Sequence, residues 1–174
     1  KEIEARELMS GIEENSEVLD FGCGNGETLI KIYTEKKCHA HGYDFSDGMV
    51  EVAKSNIQKE NLSEFISVEQ ASLLDEKKTE KKFDVVYTER SLINLASFEE
   101  QAQALKNLSY YLKPNGKIIN IESSRQGLAR TNELRKILDL DEIKEPWHNH
   151  FIDEKRWEKL EIPGLTLERV SNIT

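Results

Sequence analysis

Residues Val18-Leu19-Asp20-Phe21-Gly22-Cys23-Gly24-Asn25-Gly26 constrain this chain more than any other stretch. A short apolar run ends in an acid, three glycines follow at every second position, and a helix-forming segment begins at Glu27. That order describes a strand, a tight turn and a helix start. Glycine has no Cβ and tolerates φ > 0, so such a turn lets backbone approach a ligand closely. The spacing is G-x-G-x-G. The dinucleotide fingerprint G-x-G-x-x-G places its last glycine one position later, where this chain has Glu27. A carboxylate at a helix N-terminus repels a pyrophosphate but not a ligand bearing an amine or a sulfonium. The motif points to a nucleoside ligand without phosphates.

A second acid completes the signal. Cys38–Tyr43 reads as a second strand, and Asp44 ends it, 18 residues after Gly26. That is close to the spacing at which a carboxylate grips ribose hydroxyls in a βαβ unit. Its oxygens only accept hydrogen bonds, which suits a vicinal diol. Further strands are expected at Phe65–Glu69, Phe83–Tyr87 and Lys117–Glu122, with a late one at Leu165–Val170. Helices are expected over Lys1–Gly11 and Glu27–Thr34, and from Ser46 or Asp47 to about Asn61. A capping box at Ser97-Phe98-Glu99-Glu100 opens another, to about Leu112. Two more follow, at Ser123–Leu138 and from Asp153 through Leu160. Lys77–Lys82 reads as a charged loop and Pro114-Asn115-Gly116 as a turn. Strand and helix in alternation predict a parallel sheet with helices on both faces.

At this point the chain resembles the class I S-adenosylmethionine-dependent methyltransferases. The glycine loop between its two acids carries the resemblance. So do Phe83-Asp84-Val85-Val86-Tyr87, similar to the family's fourth strand, and Leu112-Lys113-Pro114-Asn115-Gly116-Lys117-Ile118-Ile119, similar to its turn into strand five. Asn115 replaces the first glycine of that turn's usual pair. The match covers roughly residues 15–122. It implies a three-layer α-β-α, doubly wound, mostly parallel sheet, Rossmann-like, in a single domain spanning 1–174. Within it, 123–164 is expected as an acceptor-side insertion and 165–174 as a late strand. The family sheet has seven strands and six are countable here. The seventh is expected beyond Thr174 or hidden in one of the segments, and a start at Lys1 rather than Met fits a fragment.

The resemblance also implies a cofactor, S-adenosylmethionine, and a set of residues to hold it. Asp20 would orient the glycine loop and the amino group of the methionine moiety. Phe21, Gly22, Cys23, Gly24 and Gly26 would form the loop, Asp44 would bind the ribose, and Phe45 would stack on adenine with Met49 beside it. Both apolar residues have core packing as their alternative, and a turn acid is the alternative for Asp20 and Asp44. The family has an acid near residue 71 that holds the adenine amino group. This chain has Ala71-Ser72-Leu73 there, so backbone amides or Ser72 would take the role. Thr88, Glu89 and Asn94 lie at the mouth that follows strand four.

Methyl transfer from a sulfonium mainly requires proximity and alignment, with a base only where the acceptor holds a proton. Glu89, His148 and His150 are the candidate bases; a loop ion pair, and an aromatic plug formed with Trp147, are their structural alternatives. No N/D-P-P-Y/F/W motif and no Pro-Cys is present, so nucleic-acid amine methylation and the covalent pyrimidine route lack their signatures. The net charge of −9 opposes a polyanionic partner. A small-molecule acceptor is expected instead, with no nucleic acid and no membrane as partner. A sugar or nucleotide-linked precursor is the guess, since Arg125, Arg130, Arg135 and Lys136 would suit an acidic molecule if they are not simply a solvated helix face.

No apolar stretch reaches transmembrane length and no signal peptide is visible. The two cysteines, Cys23 and Cys38, are expected as reduced thiols in a cytoplasmic protein. His39 and His41 share one face of the second strand but lack further ligands, so no metal is expected. Two other functions remain open on the residues alone: a nicotinamide-dependent oxidoreductase, and a non-catalytic nucleoside-binding module on the same scaffold.

Overall fold

The computed structural model describes residues 2–75 and 78–171; Lys1, Lys77 and residues 172–174, within three of the segments expected above, lie outside them. Five strands form one sheet: β1 (Glu17–Phe21), β2 (His39–Asp44), β3 (Ile66–Gln70), β4 (Phe83–Glu89) and β5 (Leu112–Ile121). Their order is β3-β2-β1-β4-β5 and every neighbouring pair is parallel. Helices α1 (Glu2–Ser10), α2 (Glu27–Lys36), α3 (Asp47–Lys59) and α4 (Phe98–Tyr110) cover the two faces, and α5 (Arg125–Ile137) and α6 (Glu154–Trp157) follow β5. This is the expected three-layer, doubly wound architecture.

Alternation along the strands builds the layers. Leu19 and Phe21 of β1 pack with Phe83, Val86 and the α4 residues Ala104, Leu105 and Leu108. Val18, one position out of phase, packs on the other face with Leu8 and Met9 of α1 and Ile32 of α2. Leu29 of α2 and Val50, Ala53 and Ile57 of α3 close the same face over Ala40, Ile66 and Val68. A strand buried on both faces reads as an apolar run, and that made these segments visible in the sequence.

Three expectations need correction. The late strand is not formed by the described residues 165–171. Leu167 and Val170 are 59% and 50% exposed, no strand among the described residues pairs with them, and Arg169 instead reaches Glu7 of α1 at 3.0 Å. A strand needs a ladder partner for its backbone. The strand count among the described residues is therefore five, not six. The helix capped by Asp153 stops at Trp157, short of Leu160. The turn at Pro114-Asn115-Gly116 lies inside β5, not before it. Phe83 pairs with Leu112 but Val85 with Lys117, so the intervening residues bulge out, with Asn115 at φ 63.

Candidate functional site

In a parallel sheet every strand delivers its C-terminal residue to the same edge. Here that edge gathers Asp44, Gln70 and Glu89, with Asp20 one residue before the end of β1 and Glu122 just beyond β5. Chain direction diverges between β1 and β4, and the crevice at such a switch point is where open α/β sheets bind ligands.

The glycine loop occupies that crevice. Gly22, Gly24 and Gly26 all have positive φ, at 104°, 52° and 79°. The amides of Gly22 and Cys23 donate to the Tyr43 carbonyl at 2.7 and 2.9 Å, pinning the loop to β2. Space separates the roles of the first two glycines. A Cβ on Gly22 would lie 1.8 Å from Ser91 Oγ, so that position is filled by protein. A Cβ on Gly24 would meet only Met49 Cε at 3.8 Å, so its face is open.

Asp44 binds this loop. Its Oδ2 accepts from the Gly24 amide at 2.8 Å and its Oδ1 from the Ser46 amide at 2.9 Å. Each oxygen keeps a further lone pair. Phe45 beside it is 78% exposed and Met49 is 37% exposed, an unusual display of apolar surface next to a carboxylate. Phe21 and Cys23 point the other way, Phe21 packing on Tyr43 with ring centres 5.0 Å apart and Cys23 among Leu29 and Val50.

Asp20 is buried. Tyr87, fully buried on β4, donates its hydroxyl to Asp20 Oδ2 at 2.5 Å. Oδ1 is enclosed and has no partner among the described residues. Burial pushes the Asp20 carboxyl up to about 8; the Tyr87 hydrogen bond pulls it back, and the charges of Glu89 and Asp44 add to the rise.

The turn after β3 is internally committed. The Ala71 amide donates to the Asp44 carbonyl, the Ser72 amide to Asp75 Oδ2 at 3.0 Å, and Ser72 Oγ accepts from the Leu74 amide. Leu73 is buried and its carbonyl accepts from Asn107.

The far wall is the end of β4 and the turn after it. Thr88 is fully buried, its hydroxyl 2.9 Å from Glu122 Oε1 and 3.0 Å from Asn120 Oδ1. Glu89 is partly buried with Arg90 at 3.4 Å. A single 3-10 turn, Leu92–Asn94, follows Ser91. Asn94 donates to the Arg90 carbonyl and accepts from Asn149 Nδ2 at 2.9 Å. The segment after α5 docks here: the His150 amide donates to the Ile93 carbonyl at 2.7 Å, and Gln101 donates to the carbonyls of Leu92 and His150. His148 is exposed, and Trp147 is 95% exposed, so neither plugs the segment onto the sheet; Phe151 and Ile152 pack there instead. His41 Nδ1 lies 2.6 Å from Ser67 Oγ, away from the loop.

Sequence reasoning missed Tyr87, Gln101, Asn149 and Glu122. Tyr87 was legible as a strand residue but its partner, 67 positions away, was not. Glu122 gave no signal beyond its place at a strand end.

A family model described as a methyltransferase domain matches residues 12–161. The chain is 29% identical over 116 residues to phosphoethanolamine N-methyltransferase of Plasmodium falciparum, covering 66% of this chain and 42% of that protein. It is 28% identical over 135 residues to demethylmenaquinone methyltransferase of Lactobacillus johnsonii, covering 76% and 49%. The chain thus spans less than half the length of both relatives. PKMT2 from Rickettsia typhi, solved in complex with AdoHcy, superposes with a TM-score of 0.61 at 24% identity, over 78% of this chain and 28% of that one. Among the described residues no helix is long and apolar enough to cross a membrane.

Proposed function

This chain belongs to the class I S-adenosylmethionine-dependent methyltransferase family, and we propose that it transfers the cofactor's methyl group to a small-molecule acceptor. One observation carries the reading: Asp44 ties the glycine loop to the end of β2 through the Gly24 amide at 2.8 Å, while Gly24 itself stays open and Phe45 stands exposed beside it. Family membership sets the nicotinamide alternative aside.

The residues fit the cofactor in three respects. Asp20 Oδ1 is an enclosed acceptor without a partner among the described residues, suited to an ammonium group. Asp44 keeps lone pairs for two ribose hydroxyls. Phe45 offers a flat apolar face for adenine. S-adenosylmethionine, when bound, supplies a methyl group already activated on a sulfonium, so transfer is an in-line displacement. The chain's own task is to hold the reactants in line and exclude water. Glu89 has the best placement of the three base candidates, at the end of β4 and close enough to Asp20 to raise its pKa. Residues 123–164 form the acceptor side, since their segment docks on the 3-10 turn through Asn149 and His150. The two relatives' named substrates, one an amino alcohol phosphate and one a quinone precursor, support a small acceptor, as does the net charge of −9.

Calorimetric titration with S-adenosylhomocysteine tests this. Micromolar binding is expected. Asp44→Ala removes charge-assisted hydrogen bonds worth about 1.5–3 kcal/mol each, so a loss of roughly a hundredfold is expected. Unchanged affinity in that variant would refute the ribose assignment, and no binding by the folded wild type would refute the cofactor reading.

A further inference from the structure

Glu122 organises the wall opposite the cofactor loop. It is the residue that follows β5, and its Oε1 accepts from Thr88 Oγ1 at 2.9 Å, from the Ser91 amide at 3.1 Å and from the Leu92 amide at 3.0 Å. Oε2 lies 3.4 Å from the Ile93 amide. Three successive amides therefore converge on one carboxylate at the start of the Leu92–Asn94 turn. Ser91, the residue in the cap position, contributes no side-chain cap of its own; its hydroxyl donates to the Glu89 carbonyl. Glu122 thus replaces the missing cap from another strand.

The held segment touches both sides of the site. Ser91 fills the space behind Gly22, where a Cβ would meet its Oγ at 1.8 Å and its Cβ at 2.7 Å. Ile93 and Leu92 carry the docking bonds to His150 and Gln101, and Asn94 the bond to Asn149. Arg90, just before, sits at φ 52, a conformation that costs a non-glycine residue free energy and persists only where its neighbours enforce it. Burial raises the Glu122 pKa against the pull of these donors, so the carboxylate is spent on this turn at a desolvation cost.

We propose that Glu122 is a positioning residue: by fixing Ser91, Leu92 and Ile93 it presses the turn against Gly22 and sets the wall shared by the cofactor loop and the acceptor side. The inference rests on the S-adenosylmethionine reading of the glycine loop. It predicts that removing the carboxylate loosens ligand binding without any loss of direct contact.

The test is titration of S-adenosylhomocysteine into wild type, Glu122→Ala and Glu122→Gln, below the unfolding range of all three as checked by circular dichroism. Glu122→Ala is expected to weaken binding about tenfold. Glu122→Gln keeps an oxygen acceptor for the amides and is expected to stay within about threefold of wild type. This rescue separates positioning from general damage. Wild-type affinity in Glu122→Ala, or equal loss in both variants, would overturn the proposal. A wild type that binds nothing would instead overturn the cofactor reading and this inference with it. A second measurement needs no variant: amide exchange at residues 91–93 should slow when the ligand binds. Exchange there that ignores the ligand would overturn the coupling even if Glu122→Ala fails to fold.

Discussion

At the scale of single residues, the site spends stability on charge. Asp20 is enclosed, one oxygen satisfied by Tyr87 and the other bare, and its pKa rises from 3.8 to about 8. The sign follows from proton linkage. The folded chain binds this proton more tightly than the unfolded chain, so the contribution is fully present below 3.8 and is lost as pH rises toward about 8. Asp20→Asn keeps the shape and an acceptor for Tyr87 but carries no proton to lose. The variant is expected to gain on the wild type as pH rises from about 5 to about 8, by up to about 1.4 kcal/mol per unit. Denaturant melts of both proteins across that range measure the difference, and the other carboxylates cancel in it. Parallel stability curves would contradict the assignment. An ammonium seated at the bare oxygen would favour the carboxylate, so the same residue gives the site a charge matched to the methionine end of its ligand.

At the scale of elements, what could be read from the sequence was whatever the sheet buries. β1 and β4 are apolar runs with acids at or near their ends, β2 was legible by its closing Asp44, and the loop glycines mark a turn with three positive φ values. The β5 bulge was legible as Pro114-Asn115-Gly116 but misplaced, because turn chemistry does not say whether a strand resumes its pairing. The segment 165–171 alternates like a strand yet forms none, since alternation cannot supply a partner. Thr88 and Glu89 were expected after the fourth strand and instead complete β4, whereas Glu122, Gln101 and Asn149 act through partners far along the chain. α5 shows the limit from another side: it has a helical pattern and a Ser124 cap, but none of its residues is buried. Its ties to the rest of the chain are polar, among them Arg130 to Glu154 at 3.0 Å, Gln126 to Asp153 at 2.9 Å and Asn132 to the Ile143 carbonyl at 2.8 Å. Exposed ion pairs contribute little, on the order of 0–1 kcal/mol. Amides of α5 are therefore expected to exchange at least about a hundredfold faster than those of β1 and β4. Hydrogen exchange read by mass spectrometry checks this, and equal protection would mean that α5 is held by more than these contacts.

At the scale of the whole molecule, the proposed cofactor site is built from both halves of the sheet. Asp44 and Phe45 belong to the β2 side, Ser91 and Glu122 to the β4–β5 side, and β1 with its glycine loop lies between them. In a domain that unfolds as one unit, a ligand that binds only the folded state stabilises all of it. At a concentration a hundred times its Kd, S-adenosylhomocysteine adds about 2.7 kcal/mol to the folded state. For a chain of 174 residues, each kcal/mol moves the melting midpoint by roughly 2–4 °C, so a shift of about 5–11 °C is expected. The transition should remain single, because the ligand stabilises the domain as a whole. NAD should give no shift, since Glu27 stands where its pyrophosphate would have to sit. Calorimetric scans with each ligand decide the matter. A biphasic melt at saturating S-adenosylhomocysteine would mean that the two halves unfold separately, and a shift with NAD would mean that the glycine loop accepts a pyrophosphate despite Glu27.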